Sequence, residues 1–141
     1  MGAKEEAVVR EFLRHAEGRE QNADAMADMM TDDVVWQVNV PSWKVRTGRE
    51  TSRVELSRQN SIATGCLEGS QLLNIASNDR VVFTERMDVF EMMGKRITFP
   101  VNAIFEVEDG KIAAWREYYD SVALARQLGI DPSLVVEETT P

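Results

Sequence analysis

The chain has 141 residues, 43% hydrophobic and 28% charged, ordinary globular values that exclude a disordered or fibrous class, and its length suits one domain rather than two. Its formal net charge of −8 repels a phosphate backbone, so nucleic acid is excluded as a partner. No apolar run approaches the roughly 18 residues that cross a bilayer, and the opening Met-Gly-Ala-Lys-Glu-Glu is charged rather than signal-like, so no membrane partner and a cytoplasmic location are expected.

From the N-terminus, Val8, Val9, Phe12, Leu13 and Ala16 recur at helical spacing with charged residues between them, predicting an amphipathic helix over residues 3–18. Gly18 and Asn22 interrupt it. Asn22 can cap a second, shorter helix whose apolar side is Ala23, Met26, Met29 and Met30, and Asp32-Asp33 ends that helix. The methionines of this helix more often pack than form a ligand surface.

Residues 34–40, Val-Val-Trp-Gln-Val-Asn-Val, are rich in β-branched side chains and close at Pro41, which predicts a strand followed by a turn. Alternation puts Val35, Gln37 and Asn39 on one face and Val34, Trp36, Val38 and Val40 on the other. A Gln and Asn row is costly inside a cavity unless it holds water or substrate, and otherwise belongs to a solvated face. Both readings stand on the sequence. Trp43, beyond the turn, either covers a cavity mouth or packs on the surface.

Thr47-Gly48-Arg49-Glu50 opens a third helix running to about Ala63, and Gly65 stops it. A strand is predicted over residues 66–77 from Leu67, Leu72, Leu73 and Ile75, before Asn78-Asp79 turns the chain. Cys66 reads as a small core residue rather than a nucleophile. As the only cysteine it excludes an internal disulfide, and the single histidine, His15, leaves the usual zinc ligand sets unassembled. Neither a metal nor a cofactor is expected.

Residues 80–120 form three predicted strands joined at Met93-Gly94-Lys95 and Asp109-Gly110-Lys111, where glycine supplies the positive φ that a hairpin reversal needs. Along these strands Arg86 and Asp88 share a face, and Trp115, Glu117 and Tyr119 form an equivalent row. An arginine between two carboxylates can thus face one cavity, beside Phe90, Phe99, Val101 and Ala103. The trio is either a buried ion network that holds the sheet in register or an acid–base site. Val81, Phe83, Met87 and Val89 point to the other face, which suggests a second cover, most simply a symmetric dimer.

Residues 121–128 read as a last helix, with Asp120 or Ser121 as cap and Gly129 as stop. The domain is expected over residues 1–131 and a flexible tail over 132–141. Helices first, then a bent antiparallel sheet curling around them, gives an α+β architecture with a cavity between sheet and helices.

This order of elements resembles the cone-shaped nuclear-transport-factor-2-like fold, shared by SnoaL-like and ketosteroid-isomerase-like proteins, and within it the limonene-1,2-epoxide hydrolase family. Arg86-Met87-Asp88 looks like that family's Arg-x-Asp strand, and Gly110-Lys111-Ile112 with Trp115-Arg116-Glu117-Tyr118-Tyr119-Asp120 looks like its last strand. Asn39 before Val40-Pro41 resembles its water-holding asparagine, and Gly48-Arg49-Glu50 its helix start.

The resemblance implies one-step opening of a small apolar epoxide, terpenoids among the options, by water, with no metal, cofactor or covalent intermediate. Asp88 would protonate the epoxide oxygen, Arg86 would bridge the carboxylates, and Glu117 stands where the family has the aspartate that takes a proton from water. Asn39 would hold that water, with Gln37 where the family has a tyrosine. Trp115, Tyr119, Phe90, Phe99, Val101 and Met30 would line the substrate pocket. Glu117 carries one methylene more than the family's aspartate, about 1.5 Å of extra reach. The same fold also hosts isomerases or cyclases acting on steroid-like or polyketide-like substrates, and non-catalytic binding proteins.

Overall fold

Two tight reversals build the centre of the sheet. Met93 and Gly94 take φ of 54° and 73°, and Asp109 and Gly110 take 49° and 78°, the paired positive values of a two-residue hairpin turn. They join β4 (Val81–Met92), β5 (Lys95–Glu108) and β6 (Lys111–Tyr118) into the predicted meander. β3 (Gln71–Asn78) adds antiparallel to β4, and β1 (Met30–Gln37) adds parallel to β6 with the short β2 (Arg46–Thr47) on its far side. The computed structural model thus has a six-stranded sheet of order β2-β1-β6-β5-β4-β3, and it describes residues 2–41 and 45–134.

Among the described residues four α-helices accompany the sheet: α1 (Ala3–Arg14), α2 (Ala23–Asp28), α3 (Arg49–Asn60) and α4 (Ser121–Leu128). α1 drives Val9 and Phe12 into the core, and the Phe12 ring meets Phe105 and Trp115 edge-on at 6.0 Å and 5.0 Å, an arrangement that ring quadrupoles favour. Asn22 caps α2 through the Ala25 N–H at 3.0 Å, as its side chain predicts. Trp36, Met26, Leu56, Val82 and Ile112 complete the main core, and Ile97, Leu124 and Leu128 form a smaller one under α4. No helix among the described residues is long and apolar enough to cross a membrane.

Several boundaries differ from the sequence expectation. α1 ends at Arg14 rather than residue 18, because the Ala16 carbonyl accepts the Cys66 N–H at 2.8 Å and Gly18 N–H donates to the Cys66 carbonyl at 2.8 Å. α3 stops at Asn60, and Thr64 N–H then pairs with the Glu91 carbonyl at 2.9 Å. β3 begins at Gln71, not residue 66, after Gly69 at φ 102°. The second helix ends at Asp28 rather than at Asp32-Asp33, and Met30 begins β1, which closes at Gln37 rather than Val40. Pro132–Leu134 forms a single 3-10 turn. Trp43 and residues 135–141 lie outside the described residues.

Candidate active site

Strand register brings the charged trio together. Across the sheet Glu117 stands opposite Ala103, Ala103 opposite Thr84, and Arg86 opposite Val101. β4 and β6 are next-but-one neighbours, about 10 Å apart, and the long Arg86 side chain reaches over β5 between them. Small Ala103 leaves room for that crossing. Arg86 Nη2 donates to Glu117 Oε2 at 2.7 Å and to Asp88 Oδ2 at 3.2 Å, Nε donates to Asp88 Oδ1 at 3.3 Å, and Nη1 donates to Thr84 Oγ1 at 3.2 Å. Trp115 Nε1 donates to Glu117 Oε2 at 3.2 Å. Side-chain exposures of 7% for Arg86, 15% for Asp88 and 13% for Glu117 mean that water screens little of this charge.

Burial sets the protonation states. Burial pushes the Glu117 carboxyl above its usual value, Arg86 opposes the shift, and the Asp88 charge adds to it. Burial would lower the Arg86 guanidinium, but the charges of Glu117 and Asp88 outweigh it and hold Arg86 above its usual value. Arg86 stays a cation, so one ionised carboxylate balances it, and ionising both would leave an uncompensated buried charge.

The trio lies on the wall of a cavity of about 620 Å³ between sheet and helices, within the range that encloses drug-sized ligands. Phe90, Phe99, Tyr119 and Trp115 line it as expected. Phe99 meets Phe90 at 5.4 Å and Tyr119 at 4.6 Å, while Trp115 stacks on Trp36 at 4.5 Å, with 2° between the planes. The other end of the cavity is polar, with Gln21, Glu55, Arg58 and Gln59. There burial pushes Glu55 up, but the Arg58 bonds and charge outweigh it and hold the carboxyl below its usual value.

Four predicted site residues do not line the cavity. Gln37 pairs with Arg116 in the β1–β6 register, on the outer row where Arg116 is held by Glu106 at 2.7 Å, so it faces away from Glu117. Asn39 lies past the end of β1 and is 9% exposed; its Oδ1 is buried with no hydrogen-bond partner among the described residues, but it is not part of the cavity wall. Val38 is the cavity residue at that point. Val101 is 2% exposed beneath the span of Arg86, and Met30 is fully buried in the main core against β6. Met26 and Trp36, not among the predicted site residues, line the cavity instead.

Cys66, Ser70 and Gln71 also line it and were not foreseen as site residues. Burial, then the Asp88 charge, pushes the Cys66 thiol up to about 12, so it is a neutral hydrogen-bonding group rather than a nucleophile. Val89, expected on the outer face, is 5% exposed because the segment around Gly69 covers it and Leu67 N–H bonds its carbonyl at 2.7 Å.

Comparison with known proteins fits this geometry. The limonene-1,2-epoxide hydrolase catalytic domain matches residues 3–129. Epoxide hydrolase EphG of Mycobacterium tuberculosis is 30% identical over 100 residues, covering 71% of this chain and 64% of that protein, so the match spans less than two thirds of that relative. The structure of an M. tuberculosis LEH-like epoxide hydrolase superposes with a TM-score of 0.73 at 27% identity, covering 89% of this chain and 92% of that one. SalBIII, an epoxide hydrolase/cyclase-like enzyme, superposes with a TM-score of 0.70 at 19% identity over 85% and 93% of the two chains, which shows a shared fold alone. The curved sheet, its helices and a family match over nearly its whole length make this chain a member of the limonene-1,2-epoxide hydrolase family.

Proposed function

We propose that this chain hydrolyses a small apolar epoxide to a vicinal diol in one step, with Arg86, Asp88 and Glu117 as the catalytic groups. The observation that carries this reading is that one guanidinium nitrogen, Arg86 Nη2, binds both carboxyls, at 3.2 Å and 2.7 Å, on the wall of a cavity that Phe90, Phe99, Trp115 and Tyr119 also line. An epoxide is strained, but its oxygen leaves poorly unless protonated, and neutral water attacks weakly. One group must therefore give a proton to the oxygen while another takes one from water. Two carboxyls that share one proton beside one cation can do both. Phe90, Phe99, Tyr119 and Trp115 would hold the hydrocarbon part of the substrate, and the kinship with EphG supports the same reaction class.

Incubating the protein with a panel of epoxides in ¹⁸O-labelled water tests this. The expected product is a diol carrying one solvent oxygen, and Asp88→Asn should lower its formation by roughly 10²-fold or more with the far-UV circular dichroism unchanged. A folded protein that makes no diol from any epoxide overturns the reading. A second reading takes its support from SalBIII, described as acting in pyran ring formation. There a hydroxyl of the substrate replaces water, and the product contains no solvent oxygen.

We further propose a homodimer through the outer face of the sheet, where Phe83 and Tyr118 are 44% and 40% exposed around a shallow groove with Ala76 and Ile104. Apolar surface of this kind on a sheet is commonly covered by a second copy.

A further inference from the structure

The cavity carries more positive charge than the opening of an epoxide needs. Arg10, Arg14, Arg58 and Arg86 all reach its wall, in a chain whose acidic residues outnumber its basic ones by 24 to 16. Arg86 serves the two buried carboxyls. The other three come from helices, Arg10 and Arg14 from α1 and Arg58 from the last turn of α3. All three are exposed, and so are Ile62 and Leu134 of the same wall, which marks this side as the mouth of the cavity.

Arg10, Leu13 and Arg14 follow the i, i+3, i+4 spacing that gathers side chains on one face of a helix, and all three line the cavity. Two guanidiniums thus stand one turn apart on the stripe that faces it. Like charges at that spacing repel, and an anion between them relieves the repulsion. Glu11 holds Arg14 by accepting its Nε–H at 2.9 Å, and the buried Glu55 holds Arg58 at 3.0 Å and 2.7 Å. Among the described residues no carboxylate or carbonyl binds Arg10. Glu17 is the other acidic side chain on this part of the wall. Beside Phe90, Phe99 and Tyr119 the wall continues through Met92 and Leu124, with no further cation among the described residues.

Resting on the reading of the chain as an epoxide hydrolase, we propose that its substrate is an epoxide whose hydrocarbon chain ends in a carboxylate, and that Arg10 and Arg14 hold that carboxylate at the mouth while the epoxide ring lies at Arg86, Asp88 and Glu117. The division follows from solvation. A carboxylate is costly to strip of water, so it stays at the exposed end, where guanidinium N–H groups pair with it in the forked geometry that carboxylates favour. Hydrocarbon gains by leaving water, and Leu13, Ile62 and Ala63 give it an apolar passage inward. A volume of about 620 Å³ has room for such a chain as well as the reacting ring. Held at one end, the chain enters to a fixed depth, so its length decides whether the ring meets the acid–base pair.

Binding and turnover test this separately on the full chain. In calorimetry, decanoate should bind more tightly than decanol, and added salt should narrow the gap. Arg10→Glu should cut the advantage of decanoate over decanol at least about threefold with the far-UV circular dichroism retained, and Arg10→Lys should keep most of it. Arg58 is left in place, because its loss would strand the buried Glu55 charge. Equal binding of the two ligands, or an advantage that survives Arg10→Glu, overturns the carboxylate site whether or not the chain opens epoxides. In turnover, a series of ω-epoxy carboxylic acids of increasing length is compared with the methyl esters. The acids should show an optimum in length that the esters lack, with kcat/KM at that length at least about fivefold higher than for the ester. Esters hydrolysed as well as the acids overturn the acid-bearing substrate and leave epoxide hydrolysis in place. Diol from neither series, with decanoate still bound through Arg10, overturns the reaction and not the anion site.

Discussion

Glu117 reaches Arg86 at 2.7 Å with a side chain one methylene longer than the aspartate its family resemblance leads one to expect. Glu117→Asp would withdraw the carboxyl by about 1.5 Å and break both the Arg86 and Trp115 bonds. Epoxide turnover should fall by roughly a hundredfold, with the melting temperature little changed, as kinetics and calorimetry on the same sample would check. Stability carries a separate signature. The folded Glu117 carboxyl titrates above its usual value of 4.5, so the native state binds the extra proton. That contribution to stability is present below the usual value and is lost as the pH rises through the raised one. Glu117→Gln cannot ionise, so urea unfolding at a series of pH values should show the variant gaining on the wild type from about 4.5 upward. Arg86, Asp88 and Glu117 were legible in the sequence because side chains two apart on a strand must share a face. Gln37 and Asn39 were not, because the pairing of β1 with a strand some eighty residues later fixes which face is inward, and alternation alone offers either choice.

At the scale of elements, the stretch from Thr64 to Cys66 decides how α1 ends. A Cβ on Gly65 would come within 2.3 Å of the Ala16 carbonyl and 2.7 Å of the Gly18 carbonyl, both backbone atoms that cannot swing aside. Gly65→Ala should therefore cost about 1–3 kcal/mol and lower the melting temperature by several degrees, read by calorimetry. At the other end, Asp120 caps α4 by accepting the Val122 and Ala123 N–H groups, each at 3.0 Å. Asp120→Ala should cost about 1 kcal/mol by denaturant titration. The hairpins and this cap were readable because turn glycines and cap residues act on their immediate neighbours. The end of α1 was not: Ala16 continues the helical pattern, yet its carbonyl is captured by Cys66 N–H, fifty residues along the chain.

For the molecule as a whole, the α+β order and the cavity between layers followed from the succession of helical and alternating patterns. The neighbour order of the strands followed only in part. Consecutive strands of the meander pair as expected, whereas β1 joins the sheet in parallel next to β6, a long-range choice that local patterning cannot encode. The outer face provides the test at this scale. If it joins two copies, Phe83→Glu should shift the light-scattering mass from dimer to monomer while the circular dichroism is retained. The stacked indoles of Trp36 and Trp115 have an optical consequence. Two indole rings stacked at 4.5 Å with their planes 2° apart couple electronically, and one of them donates its N–H to the Glu117 carboxyl. The near-ultraviolet spectrum of the native chain should therefore carry a built-in gauge of that carboxyl's protonation, readable without dye, label or substrate.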